Sequence, residues 1–434
     1  MRYLRGIEIF PHLNRLFGSL RKSAKGQAVV DIFSQVFCFF LDGTSRHLTH
    51  FDALKKDAGY AGAVESAPEE LLSSHAVKRF FGAFRMWRIW LFRPLLQQLF
   101  LWRLNLEKPL LVLLGVDTMV MDNDEAQQRQ GASPTYKKVK GFQPLQVTWG
   151  RFIIDAVFRG GDKHSNHKDT VPKTLVHLIQ KIRRHYRRDV IIIVRCDSGF
   201  FDEKIMQVLE GLGVGYIVAG KLYQDIQARV AATDRRFWET HQNARQEWTY
   251  TEFGDRRGSW KKFRRAIFSR PVYEDRQRLL EFARPDQVLY TNLGLGGRID
   301  QQLRAAGLGE WLTAKRILAG YHERGADELV HRALKDFGSQ TLPFKRFAAN
   351  AAFYYTMLVA FFLYECFKED VCGPIVPVTC YAETLRRRLI DVAGKIVRHA
   401  GKIILKVSAA AWKQLHIEEL WHKSAAPPRF AWVC

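Results

Sequence analysis

The sequence predicts an α/β protein: a mixed β-sheet with flanking helices, interrupted by a β-rich insertion and preceded by a helical region. Two short, mainly apolar runs, residues 110–116 and 190–194, each read as a buried strand, and each is followed by an aspartate. Apolar residues at helical spacing lie between them, around residues 175–182. After residue 222 the pattern changes to short alternating segments, which are typical of strands.

The N-terminal region, residues 1–105, is predicted to be helical. Amphipathic stretches lie at residues 29–41 and 76–101. Residues 73–81 place a serine cap before basic and aromatic side chains, a pattern compatible with a DNA-contacting helix. An ordinary amphipathic helix with solvated cations explains the same residues, so the segment alone leaves both interpretations open.

Residues 106–221 are predicted to fold in the order β-β-β-α-β-α-β. The first strand ends at Asp117, and residues 143–148 and 152–158 flank a turn as a hairpin. A helix, a strand, a helix and a strand follow, at residues 175–182, 190–194, 203–212 and 214–219. Antiparallel strands followed by crossovers to parallel ones indicate an RNase H-like fold. Ligands of open α/β sheets bind beyond strand carboxyl ends, where Asp117 and Asp197 fall.

Residues 222–300 form the predicted β-rich insertion. Its tryptophans are interleaved with cations, namely Trp238, Trp248 and Trp260 with Arg256, Arg257, Lys261, Lys262, Arg264 and Arg265. Cations that grip phosphates beside aromatic rings that stack on bases favour a nucleic-acid strand as ligand. The alternative is a small sheet with an aromatic core and a solvated rim, which accounts for at least one tryptophan.

Residues 301–370 are predicted to complete the sheet domain with a functional helix. Tyr321, Arg324, Glu328 and Lys335 would lie within an arc of about 60° on one continuous helix. One carboxylate among two cations and a phenol suits a metal ion that holds a phosphate. The carboxylate would ligate the metal, and Arg and Lys would bind the phosphate oxygens that the metal does not. Two further carboxylates, Asp117 and Asp197, stand upstream at strand ends.

The C-terminal part begins with a long apolar run. Residues 348–367 approach the length of a membrane span but contain Asn350 and Glu365, so we expect a helix buried against the sheet. Residues 371–434 are predicted to be a basic helical region that contacts DNA or a second copy of the chain.

Composition bounds the class of protein. The chain has 434 residues, 47% of them hydrophobic, which suits about two to four domains or one core with insertions rather than a small binding module. Its net charge of +23 favours a polyanionic partner such as nucleic acid. A merely basic soluble protein, or one bound to anionic lipid, is the alternative that charge alone leaves open.

Cysteine usage and the start of the chain indicate the compartment. The 6 cysteines include no Cys-x-x-Cys pair, which favours reduced thiols over a disulfide framework or a zinc site. The first residues lack an apolar core followed by a cleavage site, so we expect a cytoplasmic protein.

Three segments resemble those of a known family. Residues 194–200 (VRCDSGF), 334–338 (LKDFG) and 347–350 (FAAN) are similar to DDE transposases of bacterial insertion sequences, and within them to the insertion sequence 1380 family of the insertion sequence 4-like superfamily. The similarity runs from about residue 10 to about residue 400. Relatives often have an aromatic residue where this chain has Gly325, which costs a helix up to about 1 kcal/mol and is a place where it could bend.

The resemblance implies a catalytic set. Asp117, Asp197 and Glu328 would be both the catalytic residues and the metal ligands, in an RNase H-like domain. Three converging carboxylates can hold two divalent ions for in-line phosphodiester displacement, and their hard oxygens favour Mg²⁺, with Mn²⁺ as a substitute. The residues expected to bind phosphate or DNA are Tyr321, Arg324, Lys335, Trp260 and Trp248.

The resemblance also implies the reaction and its partners. We expect cut-and-paste transposition through a hairpin at the element end, on double-stranded DNA that comprises the terminal inverted repeats and the target. The resemblance further implies a homodimer in the synaptic complex and a helical DNA-binding domain at residues 1–105. It also implies a location near the bacterial nucleoid, without a membrane partner. Trp260, between Arg257 and Lys261, is the first candidate to stack on an extruded base, and Trp248 is the expected core residue.

Two other functions share parts of this pattern. An RNase H-like structure-specific nuclease or resolvase would have the carboxylates but need neither the insertion nor the cations around Glu328. A domesticated DNA-binding protein without catalysis is the other alternative, and the intact Asp117, Asp197 and Glu328 argue against it.

Overall fold

The computed structural model describes most of the chain. The described residues are 1–20, 26–126, 128–243, 246–272, 286–373, 375–400 and 402–433. The described residues between 2 and 107 fold into helices and their connections, as predicted, in the segments α1 (Arg2–Gly6), α2 (Ile9–Phe17), α3 (Val29–Asp42), α4 (His50–Leu54), α5 (Ala58–Val64), α6 (Ser74–Gly82), α7 (Met86–Ile89) and α8 (Phe92–Glu107). The serine expected to cap α6 does so, because Ser73 Oγ accepts a hydrogen bond from the Ala76 N–H at 3.2 Å.

The main-sheet strands and the helices of the next segment follow in the predicted order, and three short strands between the first two of these strands were not predicted. They are β1 (Leu111–Thr118), β2 (Met121–Asp122), β3 (Ser133–Pro134), β4 (Lys140–Phe142), β5 (Leu145–Trp149), β6 (Phe152–Val157), α9 (Thr170–His185), β7 (Ile191–Cys196), α10 (Glu203–Gly211) and β8 (Gly215–Ala219). β1 pairs antiparallel with β5, and β5 with β6, whereas β1, β7 and β8 are parallel. β2, β4 and β3 form a separate 3-stranded sheet beside the main one.

The insertion does contain strands, but they do not make a sheet of their own. Its elements are α11 (Gln224–Ala231), β9 (Glu239–Gln242), β10 (Glu247–Asp255), β11 (Arg264–Pro271) and β12 (Gln287–Thr291). β12 pairs antiparallel with β8, so the main sheet is 9-stranded, in the order β6-β5-β1-β7-β8-β12-β11-β10-β9. The insertion is therefore a direct extension of the mixed sheet.

The helices after the insertion close the fold over the sheet. They are α12 (Arg298–Ala305), α13 (Ala314–His322), α14 (Gly325–Phe337) and α15 (Phe347–Phe367). α15 is the buried helix that the sequence predicts, packed against α3, α6, α8 and β6. The helical stretch Phe347–Cys372 has the length and composition of a membrane span, yet 89% of its apolar window is buried inside the protein. Asn350 is satisfied there, because its side chain accepts from the Phe344 N–H and donates to the Phe344 carbonyl.

The prediction of an entirely helical C-terminal region is wrong in part. The elements are α16 (Ala382–Leu385), β13 (Gly394–His399), β14 (Lys402–Val407), α17 (Ala409–Gln414) and α18 (Ile417–Ala425). β13 and β14 pair antiparallel as a hairpin. The cations of residues 394–407 recur every three or four positions, which is a helical spacing, so the sequence favoured a helix, whereas the Ile and Val residues of the two segments suit the paired strands that form.

Candidate active site

Asp117 and Asp197 lie beside each other at the carboxyl ends of neighbouring parallel strands. β1 and β7 are in register as far as Val116 and Cys196, and the next position on each strand is an aspartate. Both strands are apolar and largely buried, so their ends are where polar side chains reach a ligand. The pairing of the two carboxylates therefore follows from strand register alone.

One cation faces both aspartates. Arg324 Nη2 lies 2.9 Å from Asp117 Oδ2 and 3.9 Å from Asp197 Oδ2. The other oxygen of each carboxylate accepts a backbone hydrogen bond, Asp117 Oδ1 from the Thr118 N–H and Asp197 Oδ1 from the Gly199 N–H. The local backbone thus turns one oxygen of each aspartate toward a common cationic neighbour.

Arg324 stays charged in spite of its burial. Only 7% of the residue is exposed. Burial lowers the pKa of Arg324, but Tyr321, Asp117 and Asp197 together raise it above its ordinary value. Tyr321 is itself buried, and burial raises its pKa to about 12, so the phenol is neutral under the guanidinium.

The expectation of one continuous helix is wrong. α13 ends at His322 and α14 begins at Gly325, so Tyr321 and Arg324 do not share the regular helix that carries Glu328 and Lys335. The break falls at the glycine that the sequence marks as a weak point for a helix. Arg324 stands at the turn, which lets its side chain reach back to the strand ends.

Glu328 lies in α14, but its side chain is outside the part of the structure that is described. Its place beside the aspartates therefore stays a prediction. Among the described residues, no group of three or more His, Cys, Asp or Glu side chains is placed to hold a metal ion.

Lys335 does not join Arg324. It lies 11 residues beyond Arg324, which corresponds to about 16 Å along a helix axis. Burial lowers the pKa of Lys335, the charge of Lys137 lowers it further, and the charge of Asp122 raises it. Asp122 belongs to β2 and Lys137 lies between β3 and β4, so Lys335 is near the small β2–β4–β3 sheet. The single-face argument considered the angle around the helix and neglected the distance along it.

Two residues that the sequence analysis overlooked support the site. Arg195, buried in β7, donates from Nη1 to the Gly320 carbonyl at 2.9 Å and so ties the end of α13 to the strand that leads to Asp197. His331 Nδ1 lies 3.9 Å from Asp117 Oδ2. A signal existed for each: an arginine inside an apolar strand, and a histidine one helical turn beyond Glu328 on the same helix.

The two insertion tryptophans show the reverse of the expected exposure. Trp260 is only 7% exposed. Its ring centroid lies 5.5 Å from that of Phe201 and 5.2 Å from that of Tyr290, and the Arg264 guanidinium carbon lies 4.7 Å from the ring. Trp248, the expected core residue, is half-buried. The selection of Trp260 as the accessible tryptophan is therefore corrected, and base stacking by either ring stays a prediction.

Trp248 lies close to the end of α13. Its ring centroid is 4.4 Å from that of His322, the last residue of α13, and 5.7 Å from that of His241 in β9. Burial, with His241 adding to it, lowers the pKa of His322 to about 4, so its imidazole is neutral. The insertion thus contacts the helix that precedes Arg324 through stacked neutral rings.

Comparison with known proteins gives a family model that covers nearly the whole chain, and similar solved structures. A family model described as "Transposase DDE domain group 1" matches residues 7–424. No curated protein matches the chain. The solved cryo-electron microscopy structure of a piggyBac transposase synaptic complex with hairpin DNA is similar over 89% of this chain and 78% of that chain, with 13% identity and a TM-score of 0.43.

Proposed function

The chain belongs to the DDE transposases, enzymes that cleave and transfer DNA, and we propose that it cuts the ends of an insertion sequence and joins them to target DNA by a cut-and-paste reaction. We assign it to the insertion sequence 1380 family, with an RNase H-like catalytic domain formed by residues 106–221 and 301–370. The observation that carries the proposal is the adjacency of Asp117 and Asp197, both facing Arg324 at the ends of β1 and β7.

DDE transposase domains depend on divalent metal ions, and the residues present fit such an ion. Asp117 and Asp197 offer hard carboxylate oxygens, and one oxygen of each already faces the same cation, the Arg324 guanidinium. We propose that Asp117, Asp197 and Glu328 hold two Mg²⁺ ions, with Mn²⁺ as a substitute. When bound, the ions would activate the attacking oxygen and stabilise the leaving oxygen of the phosphodiester.

The neighbouring side chains position the phosphate. Arg324 carries a delocalised positive charge beside both carboxylates, where it can also bind the scissile phosphate. Tyr321 packs under that guanidinium, 5.8 Å from its carbon, and holds it in place. Lys335, farther along α14, would bind a phosphate away from the scissile one on the same DNA.

The partners follow from the same proposal. A chain of net charge +23 suits double-stranded DNA, here the terminal inverted repeats and the target. We propose that two copies form the synaptic complex, that each end passes through a hairpin, and that the reaction takes place on nucleoid DNA in the bacterial cytoplasm. Trp248 is the better placed of the two tryptophans for a base beside the site, because part of its surface is exposed.

Removal of single carboxylates tests the catalytic set. Asp117→Asn, Asp197→Asn and Glu328→Gln should each abolish strand cleavage of a labelled duplex that carries the element end, with little loss of DNA binding, since each change removes a charge from the site and not a DNA contact. Asp189→Asn, at an exposed residue that pairs with Arg187, is the matched control and should cleave normally.

The outcomes also separate the alternatives. Cleavage within tenfold of wild type for Asp117→Asn, Asp197→Asn or Glu328→Gln would remove that residue from the catalytic set. Cleavage that ignores the terminal repeats and never joins ends to target would point to a structure-specific nuclease. Binding to the ends without any cleavage by the wild-type chain would point to a domesticated DNA-binding protein.

A further inference from the structure

A groove of about 570 Å³ lies outside the carboxylate site, between the N-terminal helices and the far end of α14. Arg46 and Lys78 line it from the N-terminal region, and Arg129 and residues 339–343 line it from the catalytic region. Residues 339–343 follow α14 directly, and Arg129 belongs to the loop that connects β2 to β3 after Asp117. Both segments that line the groove from this side therefore continue directly from elements of the site, one from α14 and the other from the chain after Asp117.

Its charge is strongly one-sided. Arg46, Lys78 and Arg129 face Glu125 as the one acidic side chain among the described lining residues. Arg46 and Lys78 are exposed, and Nε of Arg129 is buried without a hydrogen-bond partner. Within the described ranges, no carboxylate lies in ion-pair distance of any of these three cations, whereas Arg264 and Arg265 in the insertion are both paired with glutamates.

The walls of the groove are held by specific hydrogen bonds. Asn123, buried to 1% exposure, donates from Nδ2 to the Leu342 carbonyl at 2.9 Å and accepts from the Leu342 N–H at 3.2 Å. The Gln130 N–H donates to the Lys345 carbonyl at 2.9 Å. The loop that carries Arg129 and the segment after α14 thus form one fixed surface.

The lining chemistry distinguishes duplex from single-stranded DNA. Hydroxyl groups of Thr49 and Thr341 stand among the cations, and such groups bind phosphates together with Arg and Lys. No Phe, Tyr or Trp is among the described lining residues, whereas proteins that bind single strands use aromatic rings as stacking platforms.

We propose that this groove binds the sugar-phosphate backbone of duplex DNA and guides the element end toward Asp117 and Asp197. The inference rests on the proposed function and names the surface by which its substrate is held. Lys78 lies on α6, so α6 meets DNA through this residue, while its neighbour Arg79 does not line the groove.

The salt dependence of binding tests the groove. The triple variant Arg46→Ala/Lys78→Ala/Arg129→Ala should bind a fluorescein-labelled duplex, followed by anisotropy, about tenfold or more weakly than wild type. Each phosphate contact contributes a slope of about −0.9 in log K against log salt, so the slope should fall in magnitude by about 2 to 3. The control Lys55→Ala/Lys56→Ala/Arg79→Ala removes the same charge from exposed positions outside the groove and should change the slope by less than about 1.

Equal losses in the groove variant and the control would overturn the inference while the wild-type chain still binds and cleaves DNA, which leaves the proposed function intact. Loss of affinity for a single strand with duplex affinity unchanged would overturn the assignment to duplex DNA. A wild-type chain that neither binds nor cleaves duplex DNA would instead refute the proposed function. The variant Arg46→Lys/Lys78→Arg/Arg129→Lys, which keeps all three charges at the same positions, should retain affinity within about threefold, so that a loss confined to the alanine variant reports the charge of the groove.

Discussion

The centre of the sheet and its outer extension differ in how directly the sequence determines the position of functional side chains. In β1 and β7 both faces are covered, and Asp117 and Asp197 occupy the strand ends where the apolar runs stop. In β10 and the loop after it, polar and aromatic residues alternate, and which face becomes buried depends on what packs there. Strand register places the aspartates, whereas tertiary packing places Trp248 and Trp260.

The largest expected effect on stability tests that difference. Trp260→Ala should lower the free energy of unfolding by about 3–5 kcal/mol, because it empties a packed site under Arg264. Trp248→Ala, at a half-buried ring, should cost about 1–2 kcal/mol. Urea unfolding followed by circular dichroism measures both. A larger loss for Trp248→Ala would reverse the burial order described above.

The next effect concerns the centre of the sheet. Arg324→Ala should slow strand cleavage about 100-fold or more at saturating DNA, with a much smaller loss of affinity, because it removes the positive charge beside both carboxylates. Arg316→Ala on α13, whose guanidinium pairs with the exposed Glu323, is the control. Normal cleavage by Arg324→Ala would mean that the guanidinium only shields the carboxylates in the DNA-free protein.

Glu365 on α15 is a buried carboxylate outside the site, and it should make the stability of the protein depend on pH. Burial raises the pKa of Glu365 to about 7, with Lys368 and Arg151 opposing and Glu369 adding to the rise. Because the pKa of Glu365 is higher in the folded protein than its value near 4.5 in the unfolded chain, proton binding stabilises the fold. This contribution is fully present below about pH 4.5 and is lost as the pH rises through about 7.

The free energy of unfolding should therefore decrease from about pH 5 to about pH 8, and this decrease should be about 1–3 kcal/mol larger in wild type than in Glu365→Gln. Glu252→Gln is the control, because that carboxyl is exposed and also pairs with an arginine. A pH dependence that is the same in wild type and Glu365→Gln would show that Glu365 remains ionised throughout.

The smallest effect concerns the break between α13 and α14. Gly325→Ala meets no atom within 4 Å of its new Cβ and should stabilise the fold by up to about 1 kcal/mol. Gly82→Ala, at the end of α6 with equally open space, is the control for stability. If Gly325→Ala slows cleavage although it stabilises the fold, the bend has a role in catalysis beyond connecting two helices.

Much of the site could be predicted, and the missing parts have physical reasons. Asp117 and Asp197 follow from apolar runs that end in a carboxylate, and Gly325 indicates a helix break. The position of Lys335 could not be derived from angular spacing, because a helix separates residues along its axis as well as around it. The hairpin of β13 and β14 could not be derived from spacing, because its cations recur every three or four residues as on a helix face, and the strands depend on the pairing of two segments rich in Ile and Val.

The pairing of β12 with β8 has a mechanical consequence. Strands in a sheet lie about 4.8 Å apart, and β8 separates β12 from β7, so the insertion is joined to the strand of Asp197 through two strand spacings, about 10 Å. A load applied to the insertion would be carried by backbone hydrogen bonds acting in parallel, a stiff connection compared with a loop. The outer strands are therefore coupled to the strand that leads to Asp197 through a continuous ladder of paired strands.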